Sequence, residues 1–227
     1  MQTTTLPDQA AADHHSARHA MVVSQLRTSA VNDVRVVEAM AAVPRENYVP
    51  ADQAGIAYRD IALPLPGGRQ LNAPLATGRL LTEAAIAAGE HILLIGAAGG
   101  YTAAVLARLA ASVVAVESDS VLAASAREAL SDLANVTLVE GDLARGHVEG
   151  APYDVLVIDG AVESLSPALV AQLRPGGRIV TGRLDRGVTR LASGVRTEGG
   201  HGLADFADID CVALPGFAQP RGFHFPG

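Results

Sequence analysis

The stretch Ile92-Leu93-Leu94-Ile95-Gly96-Ala97-Ala98-Gly99-Gly100-Tyr101 restricts this chain's fold more than any other. An unbroken apolar run of strand length predicts a strand buried on both faces, as in a parallel sheet. Small residues follow, and a helical pattern begins at Thr102. Such a turn lets the backbone approach a ligand closely, and the helix after it offers unpaired N–H groups. Strand, glycine-rich turn and helix predict a nucleotide-type cofactor pocket at the head of a doubly wound α/β sheet.

The pattern after Gly89 extends this reading. Strands are expected at Ile92–Ile95, Ser112–Val116, Val136–Glu140, Val155–Ile158 and Arg178–Val180. Helices are expected at Tyr101–Leu109, Val121–Leu130 and Pro167–Leu173. Their alternation predicts a parallel sheet with helices on both faces. Val188–Gly194 and Phe206–Leu214 read as antiparallel edge strands joined across the Glu198–Gly202 turn.

Before Gly89 the chain reads as helical. Two helices are expected between Met21 and Val43, with Asn32 or Asp33 as a cap and Pro44 as a stop. One more turn is expected at Ala54–Tyr58, an irregular loop at Leu63–Gly68, and a helix from about Leu75 to Ala88. The expected organisation is a flexible tail (1–20), a helical subdomain (21–90) and a Rossmann-like core (91–227), with no linker to divide them. His14, His15 and His19 lie in the tail without carboxylate or cysteine company, so no metal site is expected.

The 227 residues carry a formal charge of −7 and a pI near 5.4. That balance speaks against nucleic acid or an anionic membrane as the main partner. Charges interrupt every apolar segment before it reaches membrane-spanning length. Cys211 is the single cysteine, which excludes an intramolecular disulfide and suits a reducing cytoplasm.

Four points fall at expected C-terminal strand ends: Gly96–Gly100, Glu117, Asp142 and Asp159. In an open parallel sheet these ends face one crevice. Glu117 closes the second strand, where a carboxylate can accept both ribose hydroxyls. Asp142 closes the third and can hold an adenine edge. The turn lacks the full G-x-G-x-x-G spacing of dinucleotide sites, so an adenosyl group without pyrophosphate fits better. That points to S-adenosylmethionine.

Further motifs recur in order: Met21-Val-Val-Ser-Gln-Leu, Ala39-Met-Ala-Ala-Val-Pro-Arg-Glu-Asn-Tyr-Val-Pro, Ala57-Tyr-Arg-Asp60 and Asn72-Ala-Pro. Gly96-x-x-x-Gly100-Tyr101-x-Ala-Ala-Val-Leu-Ala, Gly141-Asp142 and Gln172-Leu-x-Pro-Gly-Gly-Arg follow. With these, the chain resembles the protein-L-isoaspartate O-methyltransferases from about Met21 to about Pro215. The resemblance implies a class I methyltransferase fold with a helical N-terminal extension. It implies methyl transfer from S-adenosylmethionine to the abnormal α-carboxylate of isoaspartyl residues in damaged proteins. Gly96, Ala98 and Gly100 would shape the cofactor turn, Glu117 would hold the ribose and Asp142 the adenine. Asn72 and Asp60 would stand near the substrate carboxylate, with Val49-Pro50 and Leu63–Gly68 along the peptide groove.

Departures from the family pattern fall at functional positions. Asn72 stands for the usual Ser or Thr, Leu94 for an acidic residue and Ala98 for glycine. Asp159 stands for a small or hydroxyl residue; in other methyltransferases of this fold an acid there lies near the cofactor's amino group. Two alternatives follow: a methyltransferase-fold protein that only binds, and a methyltransferase with a different acceptor. His201 and His224 are expected to be surface residues.

Overall fold

The computed structural model describes residues 7–219. The segment expected as a loose tail is helical from Pro7, and helix α1 spans Pro7–Met21. Alanine-rich sequence favours helix, and burial of Met21 and Val22 anchors its C-terminal end. The chain winds on through a wide turn at Val22–Leu26 and a tight one at Arg27–Ser29, ending at Ala30 in a left-handed conformation. Helix α2 (Val34–Ala42) starts at Asp33, whose carboxylate accepts the Arg35 N–H at 2.9 Å, and stops before Pro44. The turn expected around Ala54 is present at Ala54–Ile56.

Strands β1 (Leu63–Pro64) and β2 (Gln70–Leu71) pair antiparallel around the turn Pro66–Gly68. Helix α3 covers Pro74–Ala84, shorter than its apolar pattern suggested. Ala85 adopts φ 48°, which caps the helix, and Ile86 then turns into the core.

The sheet proper begins with β3 (His91–Ile95), followed by α4 (Tyr101–Leu106), β4 (Ser112–Glu117), α5 (Ser120–Ala129) and β5 (Val136–Glu140). Then come β6 (Tyr153–Val162), α6 (Pro167–Val170), β7 (Leu173–Asp185), β8 (Val188–Thr197) and β9 (Gly200–Ala207). The strand order is β5-β4-β3-β6-β7-β8-β9. Strands β5 to β7 are parallel, and β8 and β9 join antiparallel. From β3 the chain moves outward to β4 and β5, then returns to place β6 on β3's other side. That reversal opens a crevice at the C-terminal ends of β3 and β6.

Two strand expectations need correction. Strand β7 runs well past Val180, because a tight turn at Arg186-Gly187, both with positive φ, lets β8 pair along its length. Strand β9 occupies Gly200–Ala207 rather than Phe206–Leu214, since pairing of Thr197 with Gly200 puts the turn at 198–199. After Ala207 the chain leaves the sheet edge and returns across β6. There the Ala161 N–H donates to Val212 O at 2.6 Å and the Leu214 N–H to Ala161 O at 2.9 Å.

Alternate residues of the central strands feed two apolar layers. Ile92, Leu94, Val155 and Val157 meet α2, α3, α4 and α5 on one face. Leu93, Ile95, Leu156 and Ile158 meet α6 and the returning segment, with Leu214 and Phe217, on the other. The period-two alternation of side chains explains why the strands read as unbroken apolar runs.

Candidate active site

The glycine turn comes first because its backbone sets the rest. Gly96 and Gly100 have φ of 81° and 99°, and Ala98 between them has φ 49°. Ala98 therefore accepts a conformation that costs an L-residue about 1–2 kcal/mol. The Gly96 and Ala97 N–H groups both donate to Val116 O, at 3.0 and 3.1 Å, which locks the turn onto the end of β4. At Gly99 an added Cβ would lie 2.3 Å from Tyr48 O, so the N-terminal segment rests directly on the turn.

Glu117 is fully buried at the end of β4. Its Oε1 accepts the Ser118 and Asp119 N–H groups at 2.8 and 3.0 Å, and its Oε2 accepts the Ala98 N–H at 2.7 Å. Arg69 completes the shell as a two-pronged partner, with Nη1 at 2.5 Å from Oε1 and Nη2 at 3.2 Å from Oε2. Beside this pair is a cavity of about 500 Å³ lined by Gly67, Arg69, Ser118, Asp119, Leu214 and Pro215. Leu214 covers the turn: a Cβ on Gly96 would lie 2.9 Å from it.

Asp142 is exposed at the end of β5, and its carboxylate accepts the Ala144 N–H at 2.8 Å. The returning segment reaches it at Gly216, where an added Cβ would sit 4.0 Å from Asp142 Oδ1.

Asp159 and Asn72 form the second cluster. Asp159 Oδ1 accepts from Asn72 Nδ2 at 2.7 Å and from Thr77 Oγ1 at 3.3 Å, and Oδ2 accepts from Thr102 Oγ1 at 2.5 Å. The other end of the Asn72 amide accepts the Val212 N–H at 2.8 Å. The acid on β6 thus holds the loop before α3, while Asn72 holds the returning segment. Its carboxylate faces these three side chains; the expectation from other methyltransferases of this fold was a place near the cofactor's amino group.

Arg45 lies beneath this cluster with no solvent exposure. Its Nη2 donates to Asn72 O at 2.5 Å and its Nε to Ala57 O at 2.8 Å, and its guanidinium stacks 4.6 Å from the Tyr101 ring centroid. Burial lowers the Arg45 pKa and pushes the Tyr101 hydroxyl up to about 12. Among the described residues, Arg45 Nη1 and the Tyr101 hydroxyl have no partner.

Asp60 is exposed and accepts the Leu75 N–H at 3.1 Å, a remote cap for the first turn of α3. Asp60 and Asn72 border a second cavity of about 450 Å³ together with Gln70, Asp210, Cys211 and Val212. Ala213 lines both cavities. Leu94 lies fully buried in the apolar layer, so that position serves packing. His201 is half-buried on β9 and His224 lies outside the described residues. His15 and His19 are exposed, and His14 stands 3.7 Å from Glu46.

Sequence reasoning missed Arg69, Thr77, Thr102 and the covering Leu214. Arg69 left one signal: it is the only charged residue between Asp60 and Arg79, in a loop rich in Pro and Gly. The threonines left none, since a helical Thr most often turns back to its own helix.

A parallel sheet with its order reversed at β3, a glycine turn and an acid closing the next strand define a class I methyltransferase fold. The family profile described as protein-L-isoaspartate(D-aspartate) O-methyltransferase matches residues 17–190. The protein-L-isoaspartate O-methyltransferase of Koribacter versatilis is 41% identical over 165 residues, covering 72% of this chain and 74% of that protein. Its namesake in Methylorubrum extorquens is 40% identical over 169 residues, 74% of each. A solved protein-L-isoaspartate O-methyltransferase superposes with a TM-score of 0.76 at 23% identity, over 88% of this chain and 66% of its own. A putative one from Plasmodium falciparum, solved with S-adenosyl-L-homocysteine, gives 0.70 at 18% identity, over 88% and 97%. This chain belongs to the protein-L-isoaspartate O-methyltransferase family.

Proposed function

We propose that this protein transfers a methyl group from S-adenosylmethionine to the α-carboxylate of isoaspartyl residues in damaged proteins. One observation carries the reading beyond family membership. A cavity lined by Arg69, the ion-pair partner of Glu117, and a second cavity bordered by Asp60 and Asn72 share Ala213 as a wall. On this reading the donor occupies the first and the acceptor the second.

The residues fit an adenosyl donor. Glu117 stands at the strand end where a ribose diol is expected, Asp142 stands at the next strand end for the adenine amine, and Gly96–Gly100 forms the turn at the head of β3. When bound, S-adenosylmethionine supplies an activated sulfonium methyl. The acceptor carboxylate is ionised at neutral pH and is itself the nucleophile, so the chain need not remove a proton. An O–CH₃ bond forms as the S–CH₃ bond breaks, leaving an ester and a neutral thioether. The protein's work is alignment and exclusion of water. Asp159 acts as a positioning residue, because it orients Asn72, and Asn72 fixes Val212 in the wall of the second cavity.

Isoaspartyl proteins are the partners this reading implies, and the cytoplasm is the proposed location. Among the described residues no helix is long and apolar enough to cross a membrane. A second reading, a fold kept only for binding, is favoured by the Asn72 amide, whose oxygen and nitrogen are both already engaged. A titration with S-adenosylhomocysteine tests the first reading. Micromolar binding to the wild-type chain, weakened roughly tenfold or more in Glu117→Gln by loss of a charge-assisted acceptor, supports it. No binding to a folded wild-type sample overturns it in favour of the second.

A further inference from the structure

We propose that Arg69 is an internal competitor for the ribose subsite, so that cofactor binding requires its guanidinium to leave Glu117. The inference rests on the cofactor reading above and adds a residue to it. Glu117 receives five N–H donors, three from the backbone and two from Arg69. A carboxylate offers about four lone-pair sites, so a ribose diol finds none free.

The backbone donors cannot withdraw. Those of Ser118 and Asp119 belong to the strand end, and that of Ala98 to a turn pinned to Val116 O. Only Arg69 can move. It follows Gly67 and Gly68, both at positive φ, at the close of the short β1–β2 hairpin, and its side chain borders the 500 Å³ cavity. The donor would fill that cavity, so the guanidinium has to swing out of it as well as off Glu117, and Gly67 and Gly68 give the loop the backbone freedom to carry it. Diol and guanidinium therefore exclude one another at the same oxygens, and the apparent affinity is the intrinsic one reduced by the fraction of molecules with Arg69 withdrawn.

After Arg69 is removed, three backbone N–H groups still hold the Glu117 carboxylate in place, and about one of its four lone-pair sites is open to a ribose hydroxyl. Arg69→Gln should accordingly bind S-adenosylhomocysteine more tightly than wild type, by roughly tenfold if Arg69 is paired in nine of ten molecules. The 2′,3′-dideoxy analogue, which makes no demand on Glu117, should gain less than about twofold. Arg69→Lys keeps the charge but loses the fork, and should fall between the two.

Calorimetric titration of the full chain and both variants, each checked for a cooperative thermal transition, decides the matter. A gain confined to the diol-bearing ligand is the expected result. Should Arg69→Gln not fold, a smaller gain in Arg69→Lys, again confined to the diol-bearing ligand, carries the test. Equal or weaker binding in the variants, or an equal gain for both ligands, overturns the competition and leaves the cofactor reading intact. Absence of binding in wild type and folded variants alike overturns the cofactor reading and this proposal with it.

Discussion

Replacing Asp159 with alanine tests how the loop before α3 and the returning segment are held together. Asp159 is 5% exposed, and its oxygens accept from Asn72, Thr77 and Thr102. The threonine hydroxyls belong to helices α3 and α4 and can turn to backbone carbonyls. The Asn72 amide has no such escape, because its oxygen is held by the Val212 N–H. Losing a hydrogen bond to a charged group and stranding its buried donor costs about 2–3 kcal/mol. Asp159→Ala should thus destabilise by about 2–3 kcal/mol, a fall in Tm of about 4–12 °C at this chain length. Asp159→Asn is expected to cost only about 1 kcal/mol, because its oxygen can serve Asn72 while its NH₂ donates to the Thr102 hydroxyl. Thermal unfolding followed by circular dichroism gives the stabilities, and hydrogen exchange at the Val212 amide reports whether Asn72 has let go. An alanine variant that melts within about 2 °C of wild type, with the Val212 amide still protected, would refute the reasoning.

Three other outcomes follow from single positions. Ala98→Gly should raise stability by about 0.5–1 kcal/mol, because relief of the left-handed strain exceeds the entropy that glycine adds to the unfolded chain; denaturant unfolding measures it. Cys211 is buried and burial raises its thiol pKa, so native protein should resist alkylation at pH 8 and react only at the rate of unfolding. Glu90 lies below its ordinary value of 4.5: burial opposes ionisation, but the hydrogen bonds from Arg178 and the Ala87 N–H outweigh it. A lowered folded pKa gives stability that is complete above the unfolded value and is lost as pH falls through the folded one. Stability measured against pH should therefore have a shallower acid limb below about pH 4.5 in Glu90→Gln.

The sheet could be read from the chain because its strands are apolar on both faces and its helices punctuate them. The strands expected at Ile92–Ile95, Ser112–Val116 and Val136–Glu140 lie within a residue of those bounds. Element ends set by tertiary pairing were less legible. Strand β7 extends to Asp185 only because β8 is there to pair with it, and nothing local marks Ala207 as the end of β9. At the site, the strand-end positions of Glu117, Asp142 and the glycine turn follow from sheet geometry. The partners of these groups do not. Arg69 lies 48 residues from Glu117, and Asn72 lies 140 from Val212, so each pairing depends on how the hairpin and the returning segment close over the sheet. The left-handed backbone at Ala98 was foreshadowed by its place between glycines, whereas the engagement of Asp159 with two threonines was not.

The most direct test of the account is methyl transfer itself. The full chain, labelled S-adenosylmethionine and a short peptide carrying one isoaspartyl linkage should yield base-labile methyl ester. The same peptide with a normal aspartyl linkage should yield none. Ester on neither peptide, from protein that binds S-adenosylhomocysteine, would contradict the proposed acceptor, and ester on both would contradict the proposed specificity.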